Sequence, residues 1–199
     1  MRSLWKTCKT DGILGKGVLM NIDRTLYTTR PDETGRLPKE MAVYDLLEKL
    51  EISFVRVDHE VTPSIESCHD VDKLLEIEIC KNLFLCNRQK TDFYLLLMPG
   101  QKPFKTKELS KQIGSARLSF AGEEYLEKFM DLTPGSVTIL GLMNDRDKRI
   151  RLLIDREVAN AEYLGCHPCI NTSSLKLRTR DVLEKFLPYI GHNYTVVEL

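Results

Sequence analysis

Ile79-Cys80-Lys81-Asn82-Leu83-Phe84-Leu85-Cys86 and Phe93-Tyr94-Leu95-Leu96-Leu97-Met98 stand on either side of Asn87-Arg88-Gln89-Lys90-Thr91-Asp92. Two short apolar runs joined by a polar turn read as a hairpin-like pair of strands. Pro99-Gly100 ends the second. On the N-terminal side, Ser53–Val57 reads as a strand, and Pro38 opens a helix with Val43, Leu46, Leu47 and Leu50 at helical spacing. Thr62-Pro63 suits the cap of a short helix that carries Ile65.

On the C-terminal side, Thr106 caps a helix that Gly114 stops, Leu118–Phe120 is a strand, and Glu123–Met130 is a helix. Strands are expected at Val137–Leu140, Arg149–Ile154, Leu175–Leu177 and Tyr194–Val197, with a helix from Thr179 that holds Val182, Leu183, Phe186 and Ile190. Strands and helices are therefore mixed, with several hairpin-type connections. The expected class is α/β (α+β), a mixed and largely antiparallel sheet with helices packed on it. Residues 1–37 lack sustained periodicity and read as an N-terminal extension, loosely structured or packed on a domain spanning 38–199.

The chain has 199 residues, 42% hydrophobic and 29% charged, an ordinary globular mixture. Its formal net charge is zero, whereas proteins that grip nucleic acid through phosphates usually carry a basic excess. Any RNA contact must then be local, and Lys102, Lys105, Lys107 and Lys111 form a local basic patch that could offset the neutral net charge. No apolar run is long enough to span a bilayer, and Lys6, Lys9, Asp11 and Lys16 interrupt any secretory signal. Six cysteines without an export signal read as reduced thiols, and the expected location is the cytoplasm.

Three places carry candidate chemistry. Lys81 shares a strand face with Ile79, Leu83 and Leu85. It either snorkels into solvent or waits in a cleft for an anion such as a phosphate. Gly165-Cys166-His167-Pro168-Cys169-Ile170-Asn171-Thr172 packs a histidine, an asparagine and a hydroxyl into one loop. Such a loop can simply satisfy its own backbone. Cys166-x-x-Cys169 also has metal-ligand spacing, but no second such pair completes a zinc site. In Thr133-Pro134-Gly135-Ser136 the glycine permits close backbone approach, so adjacent N–H groups can cradle a carbonyl. No P-loop, G-x-S-x-G or H-E-x-x-H is present.

Taken in order, Lys81-Asn82-Leu83-Phe84-Leu85, Leu132-Thr133-Pro134-Gly135-Ser136-Val137, Gly141-Leu142-Met143-Asn144-Asp145 and His167-Pro168-x-x-Asn171-Thr172 resemble the motifs of the YbaK and prolyl-tRNA synthetase-associated editing-domain family. The resemblance runs from about Leu37 to Leu199 and is nearest to the free-standing Ala-tRNA(Pro) deacylases of the PrdX/ProX type. It implies a YbaK-like fold and hydrolysis of mischarged Ala-tRNA(Pro) in trans. The partners implied are the acceptor end of aminoacylated tRNA(Pro) and prolyl-tRNA synthetase, with no membrane. It implies no cofactor, no metal and no covalent intermediate, with a ribose hydroxyl of the tRNA assisting.

By the same resemblance Lys81 holds the phosphate or backbone of the terminal adenosine, and Asn82 positions the substrate. Gly135 and Ser136 offer backbone N–H groups to the ester carbonyl. His167, Pro168, Asn171 and Thr172 shape the amino-acid pocket. Many family members carry Gly-x-x-x-Pro at the glycine loop, where this chain has Ile139. Cys-tRNA(Pro) is an alternative substrate. A module that binds aminoacyl-tRNA without hydrolysis is another reading, and a zinc-dependent structural protein a third.

Overall fold

The computed structural model describes residues 22–61 and 65–199. Helix α1 (Pro38–Lys49) starts at a proline whose missing N–H costs nothing in the first turn. It buries Met41, Val43, Tyr44, Leu46 and Leu47. Strand β1 (Phe54–Asp58) follows, then α2 (Ile65–Leu75), β2 (Lys81–Asn87), β3 (Phe93–Met98), α3 (Thr106–Gln112), β4 (Leu118–Phe120) and α4 (Glu123–Met130). A 3-10 turn at Ile139–Asn144 leads to β5 (Ile150–Asp155), the short α5 (Arg156–Asn160), β6 (Tyr163–Cys166) and β7 (Ser173–Arg178). A helical run, α6, opens as Thr179–Asp181, widens to a π-turn at Val182–Phe186 and closes as Leu187–Tyr189, before β8 (Tyr194–Val197).

The strands form two sheets. The larger has the order β4-β2-β3-β5-β8, the smaller β1-β7-β6. β2 pairs antiparallel with β3, Lys81 opposite Met98 and Cys86 opposite Phe93, so the hairpin expected from the sequence is present. β5 lies parallel to both β3 and β8. The smaller sheet is antiparallel throughout. The observed fold is thus the mixed, mainly antiparallel α/β arrangement expected.

Alternation along β2 and β3 sends residues to two separate cores. Phe84, Cys86, Phe93, Leu95 and Leu97 join the main core with α1, α4, the 3-10 turn and α6. Leu85, Tyr94, Leu96 and Met98 join Leu109 of α3 and Leu118 of β4.

The two sheets touch at one point that matters for the site. Ile79 bridges Gly165 in parallel, and the Cys80 N–H donates to the Gly165 carbonyl at 3.4 Å. A Cβ on Gly165 would lie 2.7 Å from Ile77 Cδ1 and 3.0 Å from Ile79 Cα. Only glycine lets the chain ahead of Lys81 and the chain ahead of His167 come this close.

Two expectations are corrected. Val137–Leu140 is not a strand. Val137 and Thr138 are irregular, and Ile139 starts the 3-10 turn, where the Thr138 hydroxyl accepts from the Leu140 N–H at 3.3 Å. Its apolar run reflects burial on all sides rather than a two-residue alternation. Thr106 is the first residue of α3 rather than its side-chain cap. The sequence reading also passed over β6 and α5. The expected cap at Thr62-Pro63 lies outside the described residues.

Of the N-terminal stretch, Ile22 bridges His59 and Tyr27 bridges Arg56, and Arg30 pairs with Asp45 of α1 at 2.7 Å. Among the described residues no helix is long and apolar enough to cross a membrane.

Candidate active site

The loop after β6 and the loop after α4 meet. At Gly135 the backbone has φ +87°, a conformation that favours glycine, and an added Cβ would sit 3.5 Å from Asn171 Nδ2. Ser136 is buried and ties its own loop. Its hydroxyl donates to the Thr133 carbonyl at 2.9 Å and accepts from the Thr133 N–H at 3.2 Å. The Ser136 N–H is committed to the Thr133 carbonyl at 3.0 Å. The neighbouring Gly135 N–H makes no hydrogen bond among the described residues, so it is the donor of this turn that remains for a carbonyl oxygen.

The other loop is held in an unusual shape. Pro168 and Cys169 are buried, and Cys169 adopts φ +62°, which costs energy for any residue with a side chain. That turn places Asn171 and Thr172 along a cavity of about 400 Å³, which Arg36, Glu40, Thr133 and Cys169 also line. Beneath it runs an ionic chain. Arg36 bonds Glu40 at 2.8 Å and Asp58 at 2.6 Å, and Asp58 also meets Arg56. Burial pushes the Glu40 carboxyl up against the pull of Arg36. At Asp58 burial acts upward, but the Arg36 and Arg56 hydrogen bonds outweigh it, and the net shift is downward.

His167 is anchored from β7. Its Nδ1 lies 2.9 Å from the Ser173 carbonyl, and a carbonyl can only accept, so Nδ1 carries the proton. In neutral imidazole Nε2 is then an acceptor. Burial lowers the His167 pKa, and the nearby His59 ring lowers it further against the opposing Ser173 hydrogen bond. The side chain is therefore neutral at pH 7. The His59 ring stands 6.3 Å away, edge-on, with Nε2 2.9 Å from the Ser174 hydroxyl. The backbone N–H of His59 donates to the Thr172 carbonyl at 2.9 Å.

The structure thus brings the Gly135 turn, braced by Ser136, against Asn171, with Asn171 and Thr172 along the cavity and His167 and Pro168 earlier in the same loop. Lys81 is reached differently. Its strand register continues from the Ile79–Gly165 bridge, so Lys81 and His167 each lie two residues beyond it in the same direction. The half-buried ammonium donates to the Lys102 carbonyl at 2.8 Å and makes no hydrogen bond to the other candidate residues. Asn82 lies on the opposite face of β2. Its amide nitrogen donates to the Cys80 carbonyl at 3.0 Å, while its buried Oδ1 has no partner among the described residues. A buried acceptor left open in this way fits a donor supplied by a ligand.

Asn144 and Asp145 serve the fold. Asn144 donates to the Met130 carbonyl at 2.9 Å, and Asp145 accepts from the N–H groups of Arg149 and Ile150 at 2.9 and 2.8 Å. The basic patch is reduced because Lys102 pairs with Asp155 and Glu157, and Lys105 with Glu108. Burial pushes the Cys80 thiol up to about 11 and the Cys169 thiol up to about 12, which keeps both uncharged and poor as nucleophiles. Among the described residues no three His, Cys, Asp or Glu side chains converge as metal ligands.

The sequence reading missed His59, Ser173 and Ser174. The available signals were the scarcity of histidine, four in the chain, and two serines directly after Thr172.

The family profile described as the aminoacyl-tRNA editing domain matches residues 59–185, from His59 through all four motifs. A prolyl-tRNA editing protein, ProX, from Acetoanaerobium sticklandii is 30% identical over 160 residues, covering 80% of this chain and 97% of its own. Prolyl-tRNA synthetase associated domain-containing protein 1 from Danio rerio is 26% identical over 155 residues, covering 77% and 83%. A crystal structure described as a putative trans-editing enzyme for prolyl tRNA synthetase superposes with a TM-score of 0.60 at 15% identity, covering 83% of this chain and 98% of its own, which speaks to the fold.

Proposed function

As a chain that belongs to the aminoacyl-tRNA editing-domain family, this protein is an aminoacyl-tRNA deacylase, and we propose that its substrate is Ala-tRNA(Pro), hydrolysed in trans. The observation that carries the reading is the meeting of the Gly135 turn with the His167–Thr172 loop. One offers a free backbone N–H beside a region where the other offers neutral polar groups. An ester carbonyl bound at the Gly135 N–H is polarised as its oxygen gains charge. Water then adds to the carbonyl carbon, the bond to the ribose oxygen breaks, and that oxygen leaves with a proton as the free hydroxyl of the terminal adenosine. The amino acid departs as its carboxylate, and the second proton of the water passes to solvent.

Lys81 is the catalytic residue of this proposal, holding the terminal nucleotide's phosphate as a point charge. Its ammonium exchanges the Lys102 carbonyl for a phosphate oxygen when tRNA arrives. The open Oδ1 of Asn82, on the other face of β2, takes a donor from another part of the substrate. Alanine rather than proline as the released amino acid follows double-sieve logic. A synthetic site gains only about 1–3 kcal/mol per methylene, so a second site sorts by size.

Residues 38–199 form the editing domain in this reading and 1–37 its extension. The work belongs where tRNA is charged, in the cytoplasm, with prolyl-tRNA synthetase as the source of the mischarged tRNA. Incubation with Ala-tRNA(Pro) releases alanine, and Lys81→Ala loses most of that rate. Full activity in the Lys81→Ala protein removes the lysine from the mechanism, and no release by the unaltered protein removes the substrate assignment.

A further inference from the structure

A hydrogen-bond chain runs from His59 through Ser174 to His167. His59 Nδ1 lies 2.9 Å from the Glu60 carbonyl, an acceptor only, so that nitrogen carries the ring proton. His59 Nε2 is then an acceptor, and the Ser174 hydroxyl at 2.9 Å donates to it. With its single proton spent there, Ser174 Oγ faces His167 Nδ1, at 3.5 Å, only as an acceptor. Nδ1–H points mainly at the Ser173 carbonyl, 2.9 Å away, with Ser174 Oγ as a second, longer arm. Every proton in the set has one consistent place, and His59 and Ser174 are both buried.

Resting on the deacylase reading above, we propose that His59 is a positioning residue. By accepting the Ser174 proton it keeps that hydroxyl from donating to Nδ1 of His167, and so keeps the His167 Nε2 lone pair available to orient the attacking water. The need for an acceptor is strict because a buried hydroxyl does not stay unpaired. If His59 Nε2 is removed, the remaining contact of the Ser174 hydroxyl is His167 Nδ1. Donation there requires the other tautomer, which places the proton on Nε2, where the water would bind. The Ser173 carbonyl opposes that switch, so the outcome is a mixture of tautomers rather than a complete change.

His59 also sits where it can matter sterically. Its N–H holds the Thr172 carbonyl, and β1 pairs with β7 from Phe54↔Leu177 to Asp58↔Ser173. A packing role and a proton-directing role therefore need to be separated, and a double substitution does so. His59→Leu removes the acceptor and orphans the serine proton. Adding Ser174→Ala removes that proton and lets the Ser173 carbonyl set the tautomer alone. His59→Gln supplies an amide oxygen as substitute acceptor.

For steady-state deacylation, the expectation is that His59→Leu lowers kcat about 10-fold or more with KM little changed. His59→Leu/Ser174→Ala recovers most of the loss, and His59→Gln stays near the unaltered rate. Long-range ¹H–¹⁵N spectra of the free protein give a readout that needs no substrate. His167 shows a protonated Nδ1 and a bare Nε2 in the unaltered chain, and mixed shifts in His59→Leu that revert in the double variant. A double variant as slow as His59→Leu, or His167 shifts untouched by His59→Leu, overturns the proposal. Because the spectra are taken without tRNA, a wrong substrate assignment shows up in the turnover assay alone.

Discussion

At the scale of single residues, the candidate site rests on two glycines used for different reasons. Gly135 is a conformational requirement. Gly135→Ala forces a side chain into a left-handed backbone, at a cost of about 1–2 kcal/mol, although the added Cβ would only touch Asn171. Urea denaturation should show that loss, and deacylation should fall because the one free N–H of the turn shifts. Gly165 is a steric requirement, with Ile77 and the Ile79 backbone within 3.0 Å of any added Cβ. Gly165→Ala should cost about 1–3 kcal/mol as overpacking at the junction of the two sheets, measured in the same way. Lys81, Gly135 and the His167–Thr172 loop stand out along the chain by residue type, but that alone left each open to a structural reading, and only the resemblance to a family supplied roles for them. His59 was not, because nothing along the chain marks a histidine at a strand end as the partner of a serine 115 positions later.

At the scale of elements, the β2–β3 hairpin and α1 were readable because their apolar patterns match their periods. The stretch at Val137–Asn144 was not. It is apolar because it is enclosed by α4 and the main core, and Thr138 steers it into a 3-10 turn. β6 was passed over because Tyr163-Leu164-Gly165-Cys166 has a glycine where the neighbouring chain must approach. Asp145 shows an element-scale duty hidden in a family motif. It caps the entry to β5 through two backbone N–H groups while itself 2% exposed. Asp145→Ala leaves both donors unpaired and should cost about 3 kcal/mol or more, since bonds to a charged group contribute about 1.5–3 kcal/mol each. Thermal melting should show a large drop, while kcat of the protein that remains folded stays near normal.

At the scale of the whole molecule, a neutral chain handling tRNA implies a small electrostatic footprint. Two lysines of the expected basic patch are held in ion pairs, so the dependence of tRNA affinity on salt should be shallow, about 0.7 per single-strand phosphate contacted in a log–log plot. A slope typical of many phosphate contacts would reveal a basic face outside this account. Stability should also carry a histidine signature. Burial lowers the pKa of His59, His167 and His192 below 6.5. Each group is neutral in the fold and takes up a proton more readily when unfolded, so stability is full above pH 6.5 and is lost as pH falls toward the folded-state values. Urea midpoints compared at pH 7.5 and pH 5 should show the decrease, and His192→Gln should shrink it without altering deacylation. The central claim, an editing site that removes alanine and spares proline, is tested most directly by following tRNA(Pro) charged in parallel with alanine, cysteine, serine and proline. Rapid release of alanine with proline left in place is the predicted result. Equal release of proline, or no release from any of the four, contradicts it.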